Sequence, residues 1–205
     1  AQLIDMLVVN EFYKNREETI MALSEAKNHA YHKLADADCP IIQIEEPCFH
    51  FVEDVDWEVP PEVYVNAFNS EIKGLRDKTE VWCHTCWGNP FAQNLGYGAK
   101  YKPVLQYLEQ LDVDVLTFEM KYADFLELDE IAAAIGSDKK VALGVISHRT
   151  LQTNSCTGLK YVDFRFRNED QINCSKREKN AHCSLAFSVL TGRVAFWPVK
   201  NSSAM

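Results

Sequence analysis

Apolar residues along the first 150 positions follow two different periods. From Arg16 to Ala37 they recur every three to four residues, which predicts an amphipathic helix. Three further helices are predicted to begin near residues 60, 101 and 128. Between the helices lie four short runs rich in β-branched residues, which start near residues 41, 80, 114 and 141 and are typical of buried strands.

The alternation of strands and helices predicts an α/β fold with parallel strands. One helix separates each predicted strand from the next, as in βα units. Polar or metal-binding residue types follow all four strands, where barrels and doubly wound sheets build their sites. We predict that residues 1–150 form a partial or truncated (βα)8 TIM-type barrel, because 205 residues are few for a closed barrel of roughly 250.

Residues 151–205 depart from this pattern and are predicted to form a divergent second segment. Residues 151–182 are polar and show no apolar helical stripe, whereas residues 185–199 contain enough β-formers for one or two strands. A partial barrel leaves sheet edges open, and exposed edges pair readily with other chains. We therefore expect a homo-oligomer that covers them.

Composition and charge exclude several classes of partner. The chain has 21 Lys and Arg against 30 Asp and Glu, so its net charge of −9 disfavours nucleic acid. No apolar run approaches the roughly 18 residues that cross a membrane, and no secretory signal is visible at the N-terminus. Seven cysteines, an odd number, indicate reduced thiols and a cytoplasmic location.

The strongest chemical signal lies at the end of the second predicted strand, where His84 and Cys86 are two residues apart. Residues i and i+2 of a strand project from the same face, so both side chains can reach one metal ion. Imidazole and thiolate together suit zinc, and Glu119, at the end of the next strand, offers a third ligand. The alternative is that His84 and Cys86 are ordinary packing residues.

Cys83 and Cys86 also form a C-x-x-C pair, which is a redox spacing. Redox pairs of this kind normally lie at a helix N-terminus, which lowers the thiol pKa. Here a Trp-Gly-Asn-Pro loop follows instead. Thiol–disulfide exchange is therefore the less favoured interpretation.

Three motifs in order carry a family resemblance: residues 42–47 (Ile-Gln-Ile-Glu-Glu-Pro), residues 84–86 (His-Thr-Cys) and residues 118–119 (Phe-Glu). With them, residues 5–152 resemble the catalytic domain of cobalamin-independent methionine synthase and its shorter relatives. Those relatives include methylcobalamin- or coenzyme M-linked methyltransferases and the epoxyalkane:coenzyme M transferase. The resemblance implies a (βα)8 barrel with zinc at the C-terminal mouth.

The resemblance also implies a set of zinc ligands. His84, Cys86 and Glu119 correspond to three of them, and the fourth is a cysteine late in the chain, in an Asp-Cys-Gly context that this sequence lacks. Cys183 lies at a suitable distance along the chain and is the first candidate for that position. The alternatives for it are Cys174 and Cys156.

Substrate and proton-transfer residues follow from the same resemblance. Gln43, Glu45 and Glu46 would line the substrate site, and Glu45 corresponds to an Asp that binds the amino group of the acceptor in methionine synthases. His148 lies near the family's catalytic histidine, which protonates the leaving group. The register differs by one residue, so Arg149 competes with His148 for that place.

The implied function is zinc-dependent methyl or alkyl transfer from a small-molecule donor to a small-molecule thiol, as in the 5-methyltetrahydropteroyltriglutamate–homocysteine methyltransferases. A zinc-bound thiolate would attack an electrophilic carbon, because zinc deprotonates a thiol that is mostly neutral at pH 7. One alternative is epoxide opening of the epoxyalkane:coenzyme M transferase type. Another is a catalytically inactive partial barrel that binds zinc or a partner.

Overall fold

The structure is a computed structural model that describes residues 2–45, 59–88, 100–136, 138–147, 149 and 196–198. Five helices and five strands lie in these ranges. The helices are α1 (Gln2–Leu7), α2 (Arg16–Asp36), α3 (Pro61–Glu71), α4 (Leu105–Leu108) and α5 (Leu128–Ala134). The strands are β1 (Ile41–Glu45), β2 (Glu80–Thr85), β3 (Val115–Glu119), β4 (Lys140–Gly144) and β5 (Phe196–Pro198).

The four strands predicted from the apolar runs form one parallel sheet. Their order in the sheet is β1-β2-β3-β4, the same as in the chain, with helices in each connection. Sequential parallel strands joined by helices are the repeating unit of a (βα)8 barrel. The fold class predicted from the sequence is therefore confirmed, as part of such a barrel.

Local sequence signals place the two long helices. The side chain of Asn15 accepts a hydrogen bond from the backbone N–H of Glu18 at 2.9 Å, which caps the first turn of α2. Pro61 begins α3, where its missing N–H has no helical partner to lose. The third predicted helix is shorter than expected, because a 3₁₀ turn (Lys102–Val104) precedes the single turn of α4.

The register assigns the strand residues to two faces of the sheet. The first, which we call the helix face, packs against α2 to α5 in one hydrophobic core. Its buried strand residues are Ile42, Ile44, Val81, Cys83, Leu116, Phe118 and Val141. The opposite face, the site face, has a separate small apolar cluster of Trp82, Val115 and Ala142. Burying each large apolar side chain stabilises the fold by roughly 1.5–3 kcal/mol.

A buried polar cluster joins α2 to the end of α3. The carboxylate of Glu71, which is fully buried, lies 2.6 Å from the Lys27 ammonium and accepts a hydrogen bond from the Tyr31 hydroxyl at 3.0 Å. Burial opposes the charged form of Lys27, but the hydrogen bond and charge of Glu71 outweigh it and raise the Lys27 pKa. Burial, together with the Glu71 charge, raises the pKa of Tyr31 to about 12.

The fifth strand comes from the C-terminal segment. β5 pairs with β4 in the antiparallel sense, with Ala142 opposite Phe196. It confirms that residues 185–199 supply a strand, and it covers the β4 edge of the sheet. At the other edge, β1 pairs only with β2 in the part of the chain described. That a second copy covers this edge stays a prediction.

Candidate functional site

The carboxyl ends of β1, β2 and β3 bring together side chains that the sequence analysis singled out. Glu45 is paired in register with His84, and His84 with Thr117, so these residues share the site face. Glu119 lies two residues after Thr117 on the same strand and therefore on the same face. Parallel strands about 4.8 Å apart place these strand ends within side-chain reach of one another.

His84 is half-buried, and one of its ring nitrogens has a defined partner. Its Nδ1 atom lies 3.3 Å from the Thr117 hydroxyl oxygen on the neighbouring strand. This contact fixes the orientation of the imidazole ring, as a hydrogen bond to one nitrogen commonly does for a metal-binding histidine.

Cys86 follows β2 directly and is also half-buried. Burial raises the pKa of its thiol, whereas the backbone N–H of Gly88 donates to the sulfur and lowers it. The negative charges of Glu119 and Glu45 raise the pKa further, and Arg149 opposes them. Gly88 has φ of +69°, a left-handed conformation that glycine adopts without steric cost.

The Glu119 carboxylate forms a two-point ion pair with Arg149. Arg149 Nε lies 2.5 Å from Oε1, and Nη2 lies 2.7 Å from Oε2. The backbone N–H of Trp87 also donates to Oε2, at 3.4 Å. The Arg149 side chain is fully buried and that of Glu119 is 10% exposed, so this pair is shielded from water.

Arg149 also ties other segments to the strand ends. Its Nη2 group donates to the backbone carbonyl of Gly88, in the turn that follows Cys86. Its guanidinium carbon lies 5.7 Å from the centre of the Tyr122 ring. From the sequence, Arg149 is only a rival of His148 for proton transfer, and its pairing with Glu119 was not predicted.

Tyr101 is a positioning residue that the sequence analysis missed. Its buried hydroxyl accepts a hydrogen bond from the backbone N–H of Glu119 at 2.8 Å and donates to the Thr85 carbonyl at 3.4 Å. Burial raises the pKa of Tyr101 well above its usual value, so the phenol stays protonated and can make both bonds. No spacing rule identifies such a residue, because its partners are backbone groups of two distant strands.

The remaining predicted site residues divide into two groups. Gln43 and Glu45 lie on β1 with exposed side chains, at the edge of the sheet. Glu46 and His148 lie outside the described residues, as do the three candidates for a fourth zinc ligand. Those candidates are Cys156, Cys174 and Cys183.

Neither of the two described C-x-x-C residues, Cys83 and Cys86, forms a disulfide. Cys83 is fully buried on the helix face, within the hydrophobic core, whereas Cys86 follows the strand at the site. The structure thus gives Cys83 a packing role.

The donor types at the strand ends suit zinc, since they include an imidazole, a thiol and a carboxylate. Their arrangement is less complete. In the described ranges, no group of three His, Cys, Asp or Glu side chains is gathered closely enough to hold a metal ion. The Arg149 guanidinium occupies both oxygens of Glu119. The residue types therefore fit zinc by their chemistry, and Glu119 is paired with Arg149 in this structure.

Comparison with protein families identifies the chain. The family model described as "Cobalamin-independent synthase, Catalytic domain" matches residues 7–162, which is more than half of the sequence. The chain belongs to this family. Its relatives include the methionine synthase of Saccharolobus islandicus, 33% identical over 148 residues, and that of Saccharolobus solfataricus, 30% identical over 148 residues.

These alignments cover 71% of the chain and 39% of each relative, so the chain spans about two fifths of their length. Solved structures with a similar fold include a B12-independent methionine synthase from Shewanella sp. W3-18-1 in complex with selenomethionine (TM-score 0.50, 23% identity, 73% of this chain and 43% of that one). Another is a putative vitamin-B12-independent methionine synthase from Listeria monocytogenes (TM-score 0.56, 23% identity, 74% and 44%).

Among the described residues, this member of the cobalamin-independent synthase family has no helix long and apolar enough to span a membrane. Its match to the family ends at residue 162. The three motifs that carried the resemblance all lie inside the matched range, so they belong to the part of the chain that the family shares.

Proposed function

We propose that this chain contributes to zinc-dependent methyl transfer from a small-molecule donor to a thiol acceptor of the homocysteine type. The observation that carries the proposal is that His84 and Glu119 lie on the same face at the ends of adjacent strands, and that Cys86, directly after β2, is near enough for the Glu119 charge to raise its pKa. Membership of the cobalamin-independent synthase family supports the reaction class.

In this proposal, His84, Cys86 and Glu119 hold the zinc ion, and Cys183 completes the set, with Cys174 and Cys156 as the alternatives. Bound zinc would supply a Lewis acid that favours the ionised, nucleophilic form of the acceptor thiol. The hydrogen bond between His84 and Thr117 would fix the imidazole for this role.

The protein groups around this site have distinct proposed tasks. Glu45 is exposed beside His84 at the β1 end, where its carboxylate would bind the ammonium group of an amino acid acceptor. Gln43, on the same face of β1, and Glu46 would add polar contacts to substrate. His148 would donate a proton to the nitrogen that the methyl group leaves, which lowers the barrier to its departure.

Glu45 also marks an alternative within the same chemistry. The family's methionine synthases have Asp at this position, so the longer side chain of Glu45 would suit an acceptor other than homocysteine. Epoxide opening is the alternative reaction, because a methylated folate and an epoxide both present an electrophilic carbon.

The three described cysteines form no disulfide, which supports a reducing, cytoplasmic setting.

A second candidate function is a partial barrel that binds zinc or a partner without turnover. Two observations favour it: the Glu119 carboxylate is already paired with Arg149, and the antiparallel β5 covers the edge of β4, where a barrel would continue with a parallel strand. This candidate shares the metal site with the first one and differs in activity.

Zinc content tests the metal site. Protein purified without added metal should contain about one zinc per chain by atomic emission, and Cys86→Ser should lose it. Cys39→Ser is the matched control, because Cys39 lies before β1, at the opposite end of the strand from the site, where its thiol donates to the Ile41 carbonyl. Loss of zinc in Cys183→Ala would make Cys183 the fourth ligand. Zinc unchanged in Cys86→Ser would contradict the proposed site.

Methionine formation then separates the two candidates. The 205-residue chain, loaded with zinc, is incubated with homocysteine and a methylated folate polyglutamate, and methionine is measured by mass spectrometry. Methionine above the Cys86→Ser background supports methyl transfer. One zinc per chain without formation of methionine supports the second candidate, a partial barrel that binds zinc without turnover.

A further inference from the structure

The ion pair between Glu119 and Arg149 occupies the groups that a metal ion would need. Each carboxylate oxygen of Glu119 accepts a hydrogen bond from the guanidinium, and Oε2 accepts a second from the Trp87 N–H. The guanidinium is completely buried, so water does not screen its charge. A metal cation beside Glu119 would therefore meet an unscreened positive charge.

Arg149 has contacts that would let it move without leaving the strand ends. Its guanidinium already lies 5.7 Å from the Tyr122 ring, and Tyr122 is 46% exposed. An arginine over an aromatic ring retains a favourable cation–π contact close to water. A shift toward Tyr122 would free Glu119 and keep the cation solvated.

We propose that Arg149 closes the metal site in the metal-free protein by holding Glu119, and that zinc binding requires Arg149 to release it. This inference rests on the proposed zinc site and concerns a competitor within it. Arg149 is thus a positioning residue whose removal should strengthen metal binding. A residue that merely supported the ligand would, on removal, weaken it.

Zinc affinity, measured by competition with a chromogenic chelator, tests the proposal without any assay of turnover. Arg149→Met keeps much of the apolar length but removes the charge, and we expect zinc to bind about tenfold tighter or more. Lys121→Met is the matched control, because Lys121 follows β3 and its ammonium pairs with Asp124. The zinc affinity of this variant should stay within about twofold of wild type. Unchanged or weaker binding in Arg149→Met would overturn the proposal.

A second variant covers the case in which Arg149→Met does not fold. Arg149→Lys keeps the charge but replaces the two-point contact by one ammonium, so zinc should bind more tightly than in wild type and less tightly than in Arg149→Met. Unchanged or weaker zinc binding in a folded Arg149→Lys counts against the proposal equally.

The outcomes also separate this inference from the zinc site itself. Zinc that binds wild type, is lost in Cys86→Ser and is unaffected by Arg149→Met would overturn the role of Arg149 and leave the site intact. Zinc binding that is unchanged in Cys86→Ser would overturn the proposed zinc site, and with it the proposed competition between zinc and Arg149 for Glu119.

Discussion

The hydroxyl oxygen of Tyr101 lies 2.8 Å from the backbone nitrogen of Glu119 and accepts its hydrogen bond. The same hydroxyl donates to the carbonyl of Thr85, on the neighbouring strand. Thr85 and Phe118 form the last paired position between β2 and β3, so the phenol replaces the next rung of the ladder. It thereby bridges the two strands directly beside Cys86 and Glu119.

Replacing Tyr101 by Phe should destabilise the protein and alter the site together. The substitution leaves the buried Glu119 N–H and Thr85 carbonyl without the hydroxyl, so the free energy of unfolding should fall by about 1–3 kcal/mol. Urea denaturation measures this loss, and zinc affinity should fall with it.

Tyr107→Phe is the control, because Tyr107 packs at the margin of the same core. It should change the free energy of unfolding by less than about 0.5 kcal/mol. A Tyr101→Phe variant as stable as this control would show that the hydroxyl bridge between the strand ends does not contribute to stability.

Gly144 is predicted to be a second position that fixes Glu119. Gly144 pairs with Glu119 in the sheet, and a Cβ atom there would lie 3.1 Å from the Phe118 carbonyl oxygen and 3.5 Å from the Glu119 Cα. Because both of these atoms belong to the backbone of β3, Gly144→Ala should displace that strand and lower the free energy of unfolding by about 1–3 kcal/mol. Thermal or urea unfolding measures the loss.

Gly136→Ala makes the same addition against flexible groups, since its Cβ would meet only the carboxylates of Glu109 and Asp138 at under 3 Å. It should therefore cost less than Gly144→Ala. Equal losses of unfolding free energy in the two variants would mean that the backbone of β3 shifts at Glu119 without a measurable cost.

The parts of the fold predictable from the sequence are those that depend on local periodicity. The apolar run at residues 41–44 alternates little and is bounded by prolines, so it indicated a buried strand, and β1 occupies residues Ile41–Glu45. The register that pairs Glu45 with His84 could not be read from either strand alone, because it is fixed by packing between them. Helix α1 (Gln2–Leu7) was missed, since six residues give too short a period to detect.

The candidate site shows the same division. His84 and Cys86 are close in sequence, so their common face followed from strand geometry. Arg149 reaches Glu119 across 30 positions of the chain, and Tyr101 reaches it across 18. Contacts of that kind depend on the tertiary arrangement of loops, and neither the charge of Arg149 nor the phenol of Tyr101 has a sequence signature for them.

The buried carboxylate of Glu71 should contribute measurably to stability, away from the site. Glu71→Gln removes the charge that balances Lys27, whose side chain is 24% exposed. We expect the free energy of unfolding to fall by about 2–3 kcal/mol, less than the roughly 3–5 kcal/mol of a fully buried pair, because the ammonium can turn toward water. Glu62→Gln, in the exposed first turn of α3, should cost under about 0.5 kcal/mol.

Tyr31 should make the protein less stable at alkaline pH. Burial, with the Glu71 charge, raises its pKa to about 12 in the folded state, against about 10 when unfolded. From pH 10 to pH 12 the unfolded chain therefore loses the Tyr31 proton while the folded protein keeps it, so the free energy of unfolding falls as pH rises. Below pH 10 both states bind the proton, and the contribution is fully present.

Tyr31→Phe removes this titration, and the slope of unfolding free energy against pH above 10 should become shallower by up to about 1.4 kcal/mol per pH unit. Tyr13→Phe, at a position that is 39% exposed and outside this cluster, should retain the wild-type slope. Urea denaturation at a series of pH values from 9 to about 11.5 measures all three proteins across the window in which the two states differ. If Tyr31→Phe keeps the wild-type slope, the Tyr31 hydroxyl ionises as readily in the folded protein as in the unfolded chain, and its burial beside Glu71 is without effect on stability.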